Sequence, residues 1–124
     1  MTPLYELKAE FFKTLGHPTR VRALERLSNG EMSVAELMTQ IGIEASNLSQ
    51  QLAVLRRYGL VNTRRQGNNV FYSLSSPELA DLFAVARRFL TARLVEQVDM
   101  LRDLEADAAL AVKAEPTPSS RRGR

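Results

Sequence analysis

The chain has 124 residues, 44% hydrophobic and 25% charged, which is enough apolar matter for one compact domain with a modest core and too little for two. It has no cysteine, hence no disulfide framework and no thiol switch, and no early stretch is apolar for long enough to be a signal or membrane segment, so a cytoplasmic protein is expected. The formal charge is +3 and the pI near 9.7, unevenly spread: residues 44–75 carry four arginines against Glu44, and residues 76–110 carry four against seven acids. The attraction for a polyanion therefore lies mid-chain.

In chain order, Leu4, Leu7, Phe11, Phe12 and Leu15 recur at helical spacing and predict a first helix over 4–15, ended by Gly16. Pro18 suits the first turn of a second helix, Thr19 to Ser28, burying Val21, Leu24 and Leu27. His17, the only histidine, is expected to bond to backbone at that boundary, since one imidazole makes no metal site. Arg20 and Arg22 are open between reaching DNA phosphates and covering the helix surface.

Ser33 followed by Glu36 is a capping box that opens a third helix with Val34, Leu37, Met38 and Ile41 inward. Gly42 ends it, and Ile43 is placed to plug the gap to a fourth helix opened at Glu44 or Ala45. So short a connection is what a helix-turn-helix needs. Along the fourth helix Leu48, Leu52, Leu55 and Gly59 share one face, while Ser46, Asn47, Ser49, Gln50, Ala53 and Arg57 share the other. A solvated helix would carry Glu and Lys there. Uncharged amides and hydroxyls flanked by Arg56 and Arg57 are instead suited to base edges and phosphates.

After Gly59 the period changes to two. Val61, Thr63 and Arg65 alternate with Asn62, Arg64 and Gln66; beyond the Gly67–Asn68 turn, Val70, Tyr72 and Leu74 alternate with Phe71 and Ser73. This is a hairpin whose tip holds Arg64, Arg65, Gln66, Asn68 and Asn69, a set fit for phosphates and the minor groove. With Gln51 added to the polar face of the fourth helix, the expected DNA-contacting set is Ser46, Asn47, Ser49, Gln50, Gln51, Arg57, Arg64, Arg65, Gln66, Asn68 and Asn69.

From Pro77 to Leu110 runs one helical pattern in which Leu79, Leu82, Phe83, Ala86, Phe89, Leu90, Leu94, Val98, Leu101 and Leu104 recur at threes and fours. So long a stripe exceeds what this domain can cover, and a partner helix is implied. The simplest partner is the same helix, with the first helix, of a second copy about a two-fold axis, through Leu4, Leu7, Phe11, Phe83, Phe89, Leu90, Leu94 and Val98. A helix packed wholly along its own domain is the alternative. Residues 111–124, with prolines, serines and arginines, are expected to form a disordered basic tail beyond a domain of residues 1–110.

Three stretches, HPTR at His17–Arg20, NLSQQLAVLRRYGLV at Asn47–Val61 and RRQGNNVFYSL at Arg64–Leu74, in this order, resemble the ArsR/SmtB winged-helix repressors of bacteria over about residues 5–105. The resemblance implies a mostly α fold with a small β-hairpin, in the order α-α-α-α-β-β-α, dimeric through its first and last helices, with an affinity for an operator that responds to a ligand. Many members of that family hold a metal through two cysteines on the helix that begins here at Ser33; the matching positions are Ser33 and Ala35, which are not thiolates. Others use Asp and His on the last helix, which here lacks histidine. Carboxylates at Glu78, Asp81, Glu96, Asp99 and Asp103 suit a solvated face. No metal and no cofactor are expected, and a small apolar ligand, a protein effector or none at all stay open.

The expected function is a sequence-specific transcriptional repressor on an inverted-repeat operator, cytoplasmic and nucleoid-associated when bound. An architectural nucleoid protein with little sequence preference is the alternative. No nucleophile–histidine pair, glycine-rich phosphate loop or metal-ligand cluster points to an enzyme.

Overall fold

A computed structural model of the chain describes residues 1–114, and the greater part of the basic tail lies outside the described residues. The order is α1 (Leu4–Leu15), α2 (Pro18–Leu27), β1 (Met32–Ser33), α3 (Val34–Ile41), α4 (Ala45–Arg57), β2 (Val61–Gln66), β3 (Asn69–Leu74) and α5 (Pro77–Ala114). No helix of the described residues is long and apolar enough to cross a membrane.

The first compact unit is Met1–Ala84. Its centre is a set of leucines with no exposure, Leu24 from α2, Leu37 from α3 and Leu48, Leu52 and Leu55 from α4, joined by Ala23, Leu27, Met32, Ile41, Leu60, Val61 and Leu79. Each fully buried leucine contributes about 1.5–3 kcal/mol, so three on α4 decide which face of that helix is turned inward. Val21, expected in this core, is only half-buried; the smaller Ala23 faces inward instead. Ile43 packs against the cluster from the turn, as its position predicted.

Local chemistry sets the joints. His17 caps α2, its Nδ1 accepting from the Thr19 N–H at 3.2 Å, and Pro18 occupies the first helical position. At α3 the capping box is complete: the Glu36 N–H donates to Ser33 Oγ at 3.1 Å and the Ser33 N–H to Glu36 Oε1 at 2.9 Å. The backbone part of that exchange lowers the Glu36 carboxyl below its usual pKa. Gly42 closes α3 with its N–H on the Met38 carbonyl at 2.8 Å.

The hairpin belongs to a three-stranded antiparallel sheet in the order β1-β3-β2. Strand β1 pairs Met32 with Tyr72 and Ser33 with Phe71. This strand was not expected, because a two-residue element presents no period to read. The β2–β3 register, Val61 opposite Leu74 through Gln66 opposite Asn69, keeps the two alternating sets on opposite faces. Gly67 has φ 62 and no non-glycine residue has positive φ among the described residues, the sign pattern of a type II′ turn.

From Val85 the second unit consists, over its described residues, of the rest of α5. Every side chain from Val85 to Val112 is exposed. The helix reaches Ala114, past Leu110, because no proline or glycine interrupts it before Pro116.

Candidate nucleic-acid interface

Helix α4 is fixed from inside by Leu48, Leu52 and Leu55, so its other side is set without further choice. Ser46, Asn47, Ser49, Gln50 and Ala53 are exposed there, as are Arg56 and Arg57 at the last turn. The face has no charge until the arginines, and Glu44 at the N-cap makes no side-chain capping bond. Arg57 lies over the Tyr58 ring, 5.8 Å from its centroid, which holds the guanidinium near the helix C-terminus, where the helix dipole also favours it.

The same helix end positions the hairpin. Gly59, at φ 74, lets the Leu60 N–H return to the Leu55 carbonyl at 2.9 Å and the Gly59 N–H to the Arg56 carbonyl at 3.0 Å. These two bonds form a Schellman motif, and the apolar contact that accompanies it is supplied by Leu55 and Leu60, both buried. Strand β2 begins at Val61, with three residues between it and the end of α4 at Arg57, and the buried Leu60 and Val61 anchor the hairpin to the core there.

Within the wing the expected set divides. Arg65, Asn68 and Asn69 are exposed at its tip. Arg64 is not a free tip residue: its Nη2 and Nε donate to Glu31 Oε1 at 2.7 Å and Oε2 at 3.0 Å, and its Nη1 donates to Gln66 Oε1 at 2.8 Å. Its guanidinium stacks on Phe71, 4.7 Å from the ring centroid, and Phe71 is its partner across the strands. The hydrogen bond from Arg64 holds the Glu31 carboxyl below its ordinary range and raises the guanidinium pKa further. Arg64, which also donates to Gln66 on its own strand, thus fastens β2 to the segment just before β1. Glu31 is remote in sequence, and no local pattern announces such a pair.

Gln51 also departs from expectation. It is half-buried, and its Oε1 accepts from Arg20 Nε at 2.8 Å while Nε2 donates to Asn47 Oδ1 at 3.4 Å. Arg20 also donates through Nη1 to the Thr14 carbonyl at 3.2 Å, and Arg22 Nη2 donates to the Ile41 carbonyl at 2.9 Å. Arg20 and Arg22 of α2 therefore clamp neighbouring helices, Arg20 the end of α1 to α4 and Arg22 the end of α3.

The residues assigned to a second copy divide likewise. Phe11 and Phe83 are half-buried against the unit's own core, because helix periodicity cannot distinguish a residue facing its own domain from one at the edge of that face. Leu4 (65%) and Leu7 (53%) on α1, and Phe89 (60%), Leu90 (57%), Leu94 (60%) and Val98 (45%) on α5, are exposed.

Comparison with known proteins places this geometry. A family profile described as "Bacterial regulatory protein, arsR family" matches residues 17–63. The chain is 55% identical over 105 residues to the HTH-type transcriptional regulator Rv0081 of Mycobacterium tuberculosis, covering 84% of this chain and 92% of that protein. The crystal structure of Rv0081 superposes with a TM-score of 0.72 over 79% of this chain and 99% of the other. A biofilm growth-associated repressor of Xylella fastidiosa is 49% identical over 74 residues, 60% of this chain and 65% of its own length. The homodimeric winged helix-turn-helix DNA-binding domain of Mb0332 from Mycobacterium bovis, at 30% identity, gives a TM-score of 0.67 over 73% of this chain and 84% of that domain.

Proposed function

The chain belongs to the arsR family of bacterial regulatory proteins, a transcription regulator with a winged helix-turn-helix for binding DNA, and from that premise we propose that it is a homodimeric repressor that places two copies of α4 on an inverted-repeat operator. One observation carries this reading: α4 turns a charge-free polar face, Ser46, Asn47, Ser49 and Gln50, outward beside the exposed cations Arg56, Arg57 and Arg65. Cations on phosphates give affinity and register; uncharged donors and acceptors against base edges give sequence preference. The wing tip, with Arg65, Asn68 and Asn69, is suited to the flanking backbone or minor groove.

The dimer is supported by the exposed leucines of α5, which no residue of the chain covers among those described, and by a relative, Mb0332, described as homodimeric. Two-fold symmetry would put the paired α4 helices about one helical turn of DNA apart, roughly 34–36 Å. The repressor assignment follows the Xylella relative's name. A cytoplasmic location, on the nucleoid when bound, follows from the target.

Selection of duplexes from genomic fragments with the purified protein, followed by titration of parent and Gln50→Ala, tests the reading. Gln50→Ala should lose about 1–3 kcal/mol on the selected duplex and little on random DNA. Equal losses on both would refute base reading by this face.

A further inference from the structure

Arg20 lies on α2, away from the outward face of α4, yet a chain of donors runs from it to that face. Arginine has only N–H donors and accepts nothing. Its Nε at 2.8 Å therefore fixes which end of the Gln51 amide faces it: the oxygen, Oε1. The amide nitrogen of Gln51 must then point the other way, and it meets Asn47 one turn earlier, with Nε2 3.4 Å from Oδ1. Because Nε2 is a donor, Asn47 is fixed in its turn with oxygen toward Gln51 and its NH₂ group directed away. The two amide orientations, which are ordinarily interchangeable, are here determined by the arginine at the head of the chain.

We infer that Arg20 and Gln51 are positioning residues that polarise Asn47, so that it offers the DNA a donor and not the donor–acceptor pair of a free asparagine. This rests on the operator-reading function proposed above and names a specificity within it. A free asparagine bonds adenine through both N6 and N7, which requires Oδ1 as an acceptor. Oδ1 keeps a second lone pair, but with that oxygen turned toward Gln51 the group facing outward is the NH₂. Its match is a base that presents acceptors side by side, in the major groove guanine with N7 and O6. The base facing Asn47 is therefore guanine in preference to adenine. Arg20 touches no DNA in this scheme. It is anchored by its second bond, Nη1 to the Thr14 carbonyl at 3.2 Å, so the polarity is set by the framework and is present before DNA arrives.

Gln51→Glu is the decisive variant, because it is isosteric and retains the contact with Arg20. A carboxylate only accepts, so Asn47 must rotate its amide to donate inward and present Oδ1 outward, which matches the N4 amine of cytosine or the N6 amine of adenine. The added negative charge lowers affinity for every duplex, so the readout is the ratio among bases and not the affinity. With full-length protein and duplexes selected from a randomised pool, Asn47→Ala should flatten the preference at one position of each half-site, and Gln51→Glu should reverse the preference at that same position by about tenfold, from guanine toward cytosine or adenine. Arg20→Met should flatten it without reversal. An unchanged preference in Gln51→Glu, or no position flattened by Asn47→Ala, overturns the relay while a parent protein that still selects a motif keeps the operator-reading function. A parent that selects no motif overturns both.

Discussion

Leu52 and Leu94 are the same residue on two helices of one chain, and their surroundings differ completely. Leu52 has no exposure and sits among Leu24, Leu37, Leu48 and Leu55; Leu94 is 60% exposed, with Leu90 at 57% and Phe89 at 60% nearby in sequence. The Met1–Ala84 unit closes its core with its own residues, and the described part of α5 from Val85 on closes nothing. The first arrangement is a self-contained core. The second has the composition of an interface, because apolar side chains at helical spacing without a cover form the kind of patch that marks a protein contact.

Substitution at Leu94 breaks this comparison most sharply. In a monomer, Leu94→Glu would sit in water and change stability by no more than about 0.5 kcal/mol. In a dimer sealed by α5 the charge would be stranded in an apolar interface at a cost of several kcal/mol. We expect the variant to sediment as a monomer and to lose specific operator binding, since one half-site's contacts remain. A Leu94→Glu protein that stays dimeric would assign the stripe another purpose. Leu52→Ala is the matching change in the closed core: a cavity there should cost about 2–5 kcal/mol in denaturant unfolding, with the dimer's association retained wherever the protein is folded.

How much of each region could be read from the sequence follows from how local its determinants are. Capping by Ser33 and Glu36, the apolar face of α4, the change of period after Gly59 and the stripe of α5 all lie within a few residues of one another, and each was legible. The two-residue β1 has no period, and its partner Phe71–Tyr72 lies far along the chain. The same distance hid the bonds of Arg64 to Glu31 and of Arg20 to Gln51. Sequence placed Gln51 and Arg64 on the correct element. It could not foresee that other residues already engage them, because those residues come from elements brought near only by the fold.

The two wing arginines sharpen the comparison between free and engaged cations. Arg65 is exposed at the tip, so Arg65→Ala should weaken all duplexes alike and reduce the slope of log K against log salt by about 0.9. Arg64 holds Glu31 and Gln66 and stacks on Phe71, and Arg64→Ala should lower the slope by less than half that amount while loosening the wing, read as faster amide exchange in β2. A full unit of slope lost with Arg64→Ala would mean that DNA displaces Glu31.

The smallest expected effect concerns the acids on either side of β1. Glu31 has its pKa lowered from the usual 4.5, chiefly by the hydrogen bond from Arg64, and Glu36 is lowered chiefly by the Ser33 backbone N–H. A carboxyl whose folded pKa lies below its unfolded value binds fewer protons when folded, so its stabilisation is fully present above about pH 4.5 and fades as pH falls through the depressed folded value. Glu31→Gln should therefore be less stable than the parent at pH 7, and the difference should shrink at pH 3. Salt separates the two acids: the Glu31–Arg64 pair is exposed and screened, whereas the Glu36 bond is to a neutral N–H. Raising salt at pH 7 should thus narrow the gap between parent and Glu31→Gln but leave that of Glu36→Gln nearly unchanged. Denaturant midpoints at the two pH values and two salt concentrations decide it, and a Glu31→Gln gap equal at pH 3 and pH 7 would show that the wing latch contributes nothing in solution.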